Sequence, residues 1–152
     1  MDQSKRTKKI LLNLRRCWIK TKYRIVLVGL TEKQIEELPD TIIGIKRTQN
    51  IQELVGIYTR ANVFFNPTYE DNFPTTNLEA IACGTPVITY NTGGSPEAVT
   101  EKTGVICKAG DIESVKSKIV DCISKKIKIE NKQYDYKQMV DCYIELYRKI
   151  VK

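Results

Sequence analysis

Apolar and polar residues follow two distinct periods along this chain. Ile10, Leu11, Leu14, Trp18 and Ile19 recur at helical spacing, which predicts an amphipathic helix over about residues 6–20. The run Tyr23-Arg-Ile-Val-Leu-Val-Gly29 is short, apolar and closed by glycine, the pattern of a buried parallel strand. Thr31 offers an N-cap with Gln34 at the capping-box position, and Pro39-Asp40 ends the helix between them. Residues 41–45 read as a second strand. Asn50 caps a helix through about Arg60, with Leu54, Val55 and Tyr58 on one side. Residues 62–66 read as a strand, about 74–83 as a helix, 86–90 as a strand, and Ser95-Pro96-Glu97 as a short helix. A last strand spans residues 104–107, and Asp111 caps a helix to about Lys125. Asn131 or Gln133 opens the final helix, whose stripe is Met139, Val140, Tyr143, Leu146, Tyr147 and Ile150.

Strands alternating with helices predict an α/β fold, a Rossmann-like parallel sheet with helices on both faces. Three segments are expected: a basic amphipathic stretch at 1–22, the Rossmann-like domain at 23–130, and a C-terminal helix at 131–152 that packs on the domain or on a second half. In such sheets ligands bind outside the carboxyl ends of the strands. Residues 66–73 and 91–95 both follow strands directly, which puts both loops on that edge.

Composition narrows the chemistry. The 152 residues suffice for one core and hardly for two. No apolar run is long enough to span a membrane, and the basic start lacks the apolar stretch and cleavage site of a secretory leader. A cytoplasmic protein is expected, at most peripheral to the inner face of the membrane. The five cysteines are scattered with no C-x-x-C, which argues for reduced thiols over disulfides or zinc. With no histidine, acid–base work falls to carboxylates, Lys, Tyr, Cys or the backbone. The net charge of +7 is concentrated: nine Lys and Arg fall within residues 1–24 against the single acid Asp2. A solvated or partner-facing helix explains this better than nucleic-acid binding, since no recognition motif accompanies it.

The richest segment is residues 67–88, PTYEDNFPTTNLEAIACGTPVI. An acidic pair, Glu70-Asp71, precedes a helix start whose N-cap is expected at Asn72 or Phe73, with Pro74 first in the helix. Proline has no N–H, so the anion-facing donors are expected to be the amides of Thr75, Thr76 and Asn77. Glu79, about one turn further, can accept two hydrogen bonds from a ribose diol. The second loop, Asn91-Thr-Gly-Gly-Ser-Pro-Glu97, carries paired glycines that permit close backbone approach, and suggests a second wall of one pocket. The phosphate-loop and dinucleotide glycine fingerprints are both missing from the sequence.

These two motifs, with Thr103-Gly-Val-Ile106 after them, resemble the family 4 glycosyltransferases, in particular their carboxyl-terminal, donor-binding half. The resemblance covers about Tyr23 to Asp111. It implies one half of a GT-B fold and a retaining transfer of sugar from a nucleotide-diphosphate donor (UDP-, GDP- or ADP-linked) with no cofactor and no metal. The family's E-x7-E pattern falls on Asp71 and Glu79, with Asp in place of the first Glu and Glu70 beside it. By resemblance Asp71 and Glu70 are the catalytic carboxylates by the donor sugar, and Glu79 binds the ribose. Asn72, Phe73, Thr75, Thr76, Gly93 and Gly94 line the diphosphate and sugar, and Arg47 lies where the family meets the base.

The sequence departs from the family at its start. No glycine precedes Gly29, so the Arg and Lys-Gly cations that face the diphosphate lack a counterpart. An acceptor half is also expected from elsewhere, as a partner protein or through self-association. The leading expectation is a glycosyltransferase donor domain in surface polysaccharide or glycoconjugate assembly. The alternative is a non-catalytic or truncated nucleotide-sugar-binding module, such as one subunit of a split enzyme.

Overall fold

A computed structural model describes residues 23–125, 127, 129 and 135–151. The expected helix at 6–20 and the expected helix openers Asn131 and Gln133 lie outside these residues. The chain divides into two compact units, Met1–Ile57 and Tyr58–Lys152.

In the first unit, β1 (Ile25–Val28) and β2 (Ile42–Ile45) pair in parallel, with Ile25 opposite Ile42 and Val28 opposite Ile45. Between them runs α1 (Glu32–Glu36). Its capping box forms as expected: the Gln34 amide donates to Thr31, and the Gln34 side chain accepts from the Thr31 amide. One face of the pair is tightly covered, for a Cβ on Gly44 would lie 2.7 Å from Leu38 and 2.9 Å from Ile35. The expectation of a fully buried β1 needs correction. Val26 and Val28 are each 42% exposed, because only the Ile25 and Leu27 side is covered among the described residues. Helix α2 (Ile51–Arg60) carries the boundary between the units. Asn50 caps it as expected, accepting from the Glu53 amide at 2.9 Å, while Glu53 accepts from the Gln49 amide at 2.8 Å.

The second unit holds a three-stranded parallel sheet in the order β3 (Phe64–Asn66), β4 (Val87–Tyr90), β5 (Gly104–Cys107). Helix α3 (Thr75–Ala82) connects β3 to β4 and packs on both. A short 3-10 helix (Ser95–Ala98) lies between β4 and β5, and α4 (Ile112–Lys125) packs on those two strands. All four residues of the central strand are buried, as a strand covered on both faces requires. Val87, Ile88 and Tyr90 join Ile81, Ala80, Val115 and Ile119 in the core. Each large aliphatic among them contributes about 1.5–3 kcal/mol by leaving water. Phe65 and Tyr69 both set their rings against Tyr90, at 5.6 and 5.4 Å. Gly104 opens β5 for a steric reason: a Cβ there would stand 1.9 Å from the Val87 carbonyl oxygen.

The last helix, α5 (Tyr136–Ile150), is capped by Asp135, whose carboxylate accepts from the Lys137 amide. None of its residues is buried, and the stripe of Tyr136, Met139, Val140, Tyr143, Leu146, Tyr147 and Ile150 is exposed. No described helix is long and apolar enough to cross a membrane.

Candidate functional site

The loops after β3 and β4 come together in the second unit, as their places on the sheet edge predict. The Gly94 amide donates to the Asp71 carbonyl at 2.9 Å. The Thr92 hydroxyl donates to the Thr68 carbonyl at 2.7 Å. The first contact needs backbone to approach backbone. A Cβ on Gly93 would lie 2.2 Å from the Asp71 oxygen, and one on Gly94 would lie 1.7 Å from the Asn72 oxygen. Gly93 also adopts a positive φ of 51°, which side chains disfavour. The paired glycines therefore serve contact between the two loops on that side.

The start of α3 corrects two expectations. Pro74, not Asn72 or Phe73, is the N-cap, in an extended conformation, and the helix begins at Thr75. The cause lies upstream. The Asp71 carboxylate accepts the Phe73 amide at 3.1 Å, a local turn that holds Phe73 outside the helix. That amide is therefore engaged within the chain. The Asn77 amide is engaged as well, donating to the Pro74 carbonyl at 3.1 Å. The amides of Thr75 and Thr76 remain as the groups a helix start leaves unpaired, and both residues are exposed. They sit at the positive end of the α3 dipole, suited to an anion.

A buried amide holds this arrangement from below. Asn77 is 0% exposed. Its carbonyl oxygen accepts from the Asn66 side chain at 2.9 Å, and its amide nitrogen donates to the Ser95 carbonyl at 3.2 Å. One side chain thus joins the end of β3, the first turn of α3 and the 3-10 helix after β4. In the sequence, Asn77 stands out only for its backbone amide at the helix start.

Glu79 is half-buried on α3, and its Oε2 accepts from the Tyr58 hydroxyl at 3.3 Å. Burial first, and then the charge and hydrogen bond of Glu79, push the Tyr58 phenol well above its ordinary pKa. Tyr58 therefore stays a donor at neutral pH. Glu70 and Asn72 are exposed and Asp71 is half-buried, all in the loop that leads to α3. Phe73 is exposed beside them. Arg47 belongs to the first unit, exposed in the turn after β2, where the neighbouring Lys46 forms an ion pair with Glu32. Its expected role at the base rests on the resemblance alone. Among the described residues no three or more Cys, Asp or Glu side chains gather as a metal site.

Comparison with known proteins agrees with this architecture. Over 95% of this chain, the fold superposes on sucrose-phosphate synthase from Thermosynechococcus elongatus, with a TM-score of 0.66 at 20% identity, across 42% of that chain. In sequence, 131 residues (80% of this chain) are 27% identical to a D-inositol 3-phosphate glycosyltransferase of Saccharomonospora viridis, across 30% of that protein. The protein of that name from Corynebacterium jeikeium is 44% identical over 61 residues, 40% of this chain and 15% of the relative. The capsular polysaccharide biosynthesis glycosyltransferase CapM of Staphylococcus aureus is 34% identical over 77 residues, 50% of this chain and 20% of the relative. The chain thus spans less than a third of the length of these curated relatives. The family described as glycosyl transferases group 1 matches residues 1–139. With parallel strands flanked by helices and two loops joined at the strand ends, this chain belongs to the group 1 glycosyl transferases.

Proposed function

We propose that this chain is the donor-binding part of a retaining, family 4 type glycosyltransferase that takes a nucleotide-diphosphate sugar. The observation that carries the reading is the start of α3, where the unpaired Thr75 and Thr76 amides adjoin the Asp71 loop, with Glu79 about one turn further along the same helix. The amides and the helix dipole suit the diphosphate. Glu79 keeps acceptor capacity beyond its bond to Tyr58, suited to a ribose diol. Asp71, with Glu70 beside it, lies at the same helix start for the donor sugar, where a fixed carboxylate can stabilise positive charge developing at the anomeric carbon. This chemistry asks for no metal and no further cofactor.

Transfer needs an acceptor and a second wall to exclude water. The exposed apolar stripe of α5 supports a covering partner, either an acceptor half or a second copy. The name of the similar CapM protein supports a role in polysaccharide assembly. Calorimetric titration with UDP, GDP, ADP and their sugar conjugates tests the reading. Saturable binding that Glu79→Ala weakens by about 1–3 kcal/mol is expected. A folded chain that binds none of these ligands overturns it.

A further inference from the structure

Tyr58 is held from three directions. Its backbone carbonyl accepts from the Thr85 hydroxyl at 2.5 Å, its ring meets Phe64 edge-on at 5.4 Å, and its hydroxyl donates to Glu79 Oε2. It is only 8% exposed, so it is poorly placed to contact a ligand itself. Glu79 is a long side chain with several rotamers, and ordering it upon binding carries an entropic cost. A donor already fixed in the core removes part of that cost by selecting one carboxylate orientation beforehand.

We propose that Tyr58 is a positioning residue that aims the Glu79 carboxylate at a ribose diol, and so sets the preference for ribonucleotides over 2′-deoxyribonucleotides without touching them. The proposal rests on the donor-site reading above and adds a specificity device to it. A diol engages both carboxylate oxygens only if the carboxylate plane is correctly turned. A lone 3′-hydroxyl makes one bond and tolerates a turned carboxylate. Loss of the phenol should therefore penalise the diol selectively.

The test is calorimetric titration of the full chain with whichever of UDP, GDP and ADP binds, and with its 2′-deoxy counterpart. The wild type should prefer the ribonucleotide. Tyr58→Phe keeps the ring against Phe64 and the Thr85 bond, and should weaken ribonucleotide binding roughly 2- to 12-fold, the cost of ordering one side chain. Deoxyribonucleotide binding should stay nearly unchanged, so the preference narrows. In a Glu79→Gln background the same substitution should no longer change the ratio.

Equal weakening of both nucleotides assigns Tyr58 a merely structural role and overturns the proposal, as does an unchanged ratio in Tyr58→Phe. If that variant does not fold, 4-fluorophenylalanine at position 58 decides, since it is close to tyrosine in size, cannot donate, and leaves Glu79 intact. An unnarrowed preference in that variant also overturns the proposal. A wild type that binds but ignores the 2′-hydroxyl removes this proposal and leaves the donor site standing. A wild type that binds no nucleoside diphosphate removes the donor reading and this proposal with it.

Discussion

Gly94 lies so close to Asn72 that a Cβ on it would stand 1.7 Å from the Asn72 carbonyl oxygen. The contact is backbone against backbone, so neither side can swing away as a side chain would. Gly94→Ala should therefore separate the two loops and break the bond from its amide to the Asp71 carbonyl. Overpacking of this kind costs about 1–3 kcal/mol. Urea denaturation should show that loss, and nucleotide affinity should fall with it. Unchanged stability in Gly94→Ala would show that the loops part without cost.

Asp71 is expected to act in catalysis, yet its carboxylate also accepts the Phe73 amide. Two substitutions separate the roles. Asp71→Asn keeps an acceptor oxygen for that amide and removes the charge. It should leave stability within about 0.5 kcal/mol and nucleotide affinity nearly intact, while transfer with a supplied acceptor half falls steeply. Asp71→Ala should lose the turn as well, at about 0.5–1.5 kcal/mol. If both variants lose nucleotide affinity to the same degree, the carboxylate belongs to binding and the assignment is wrong.

The sequence made local features legible and non-local ones obscure. The capping residues Thr31, Asn50 and Asp111 announce themselves because a cap involves partners three residues away. The limits of α2 and β5 follow from such signals and from apolar spacing. The N-cap of α3 did not, because it depends on where the Asp71 carboxylate turns. The exposure of β1 was also hidden, since apolar content does not say what covers each face of a sheet. Asp71 and Glu79 stand out in the sequence through their spacing and motif. Tyr58 read as one more residue of a helical stripe, because its hydroxyl meets a partner 21 positions away. The paired glycines predict close backbone approach, but that the neighbour is the Asp71–Asn72 backbone is a tertiary fact.

Asn77 should matter more to folding than its place in a surface motif suggests. Its side chain is fully buried and bonded at both ends, to Asn66 and to the Ser95 carbonyl. Asn77→Ala leaves both partners unpaired, at about 1–3 kcal/mol for each that water cannot reach. The urea midpoint should drop with little change in slope. A near-neutral substitution would mean that neither bond contributes in solution.

Alkaline pH offers a separate check on the buried phenols. Burial raises the Tyr58 pKa, with Glu79 adding to the shift, and raises Tyr90 from 10.0 to about 12. An unfolded chain ionises these tyrosines near pH ~10, while the folded chain keeps them protonated. Above that pH the unfolded state binds fewer protons, so stability must fall as pH rises. Below it the two phenols contribute no pH dependence. For Tyr90 the loss runs from about pH 10 up through about 12. Each phenol adds a slope of at most about 1.4 kcal/mol per pH unit. The informative quantity is the difference between wild type and Tyr58→Phe. Urea denaturation from about pH 9 to about pH 11 should show a shallower decline in the variant. Parallel declines would mean that Tyr58 ionises as freely in the folded chain as in the unfolded one, contrary to its burial and its bond to Glu79.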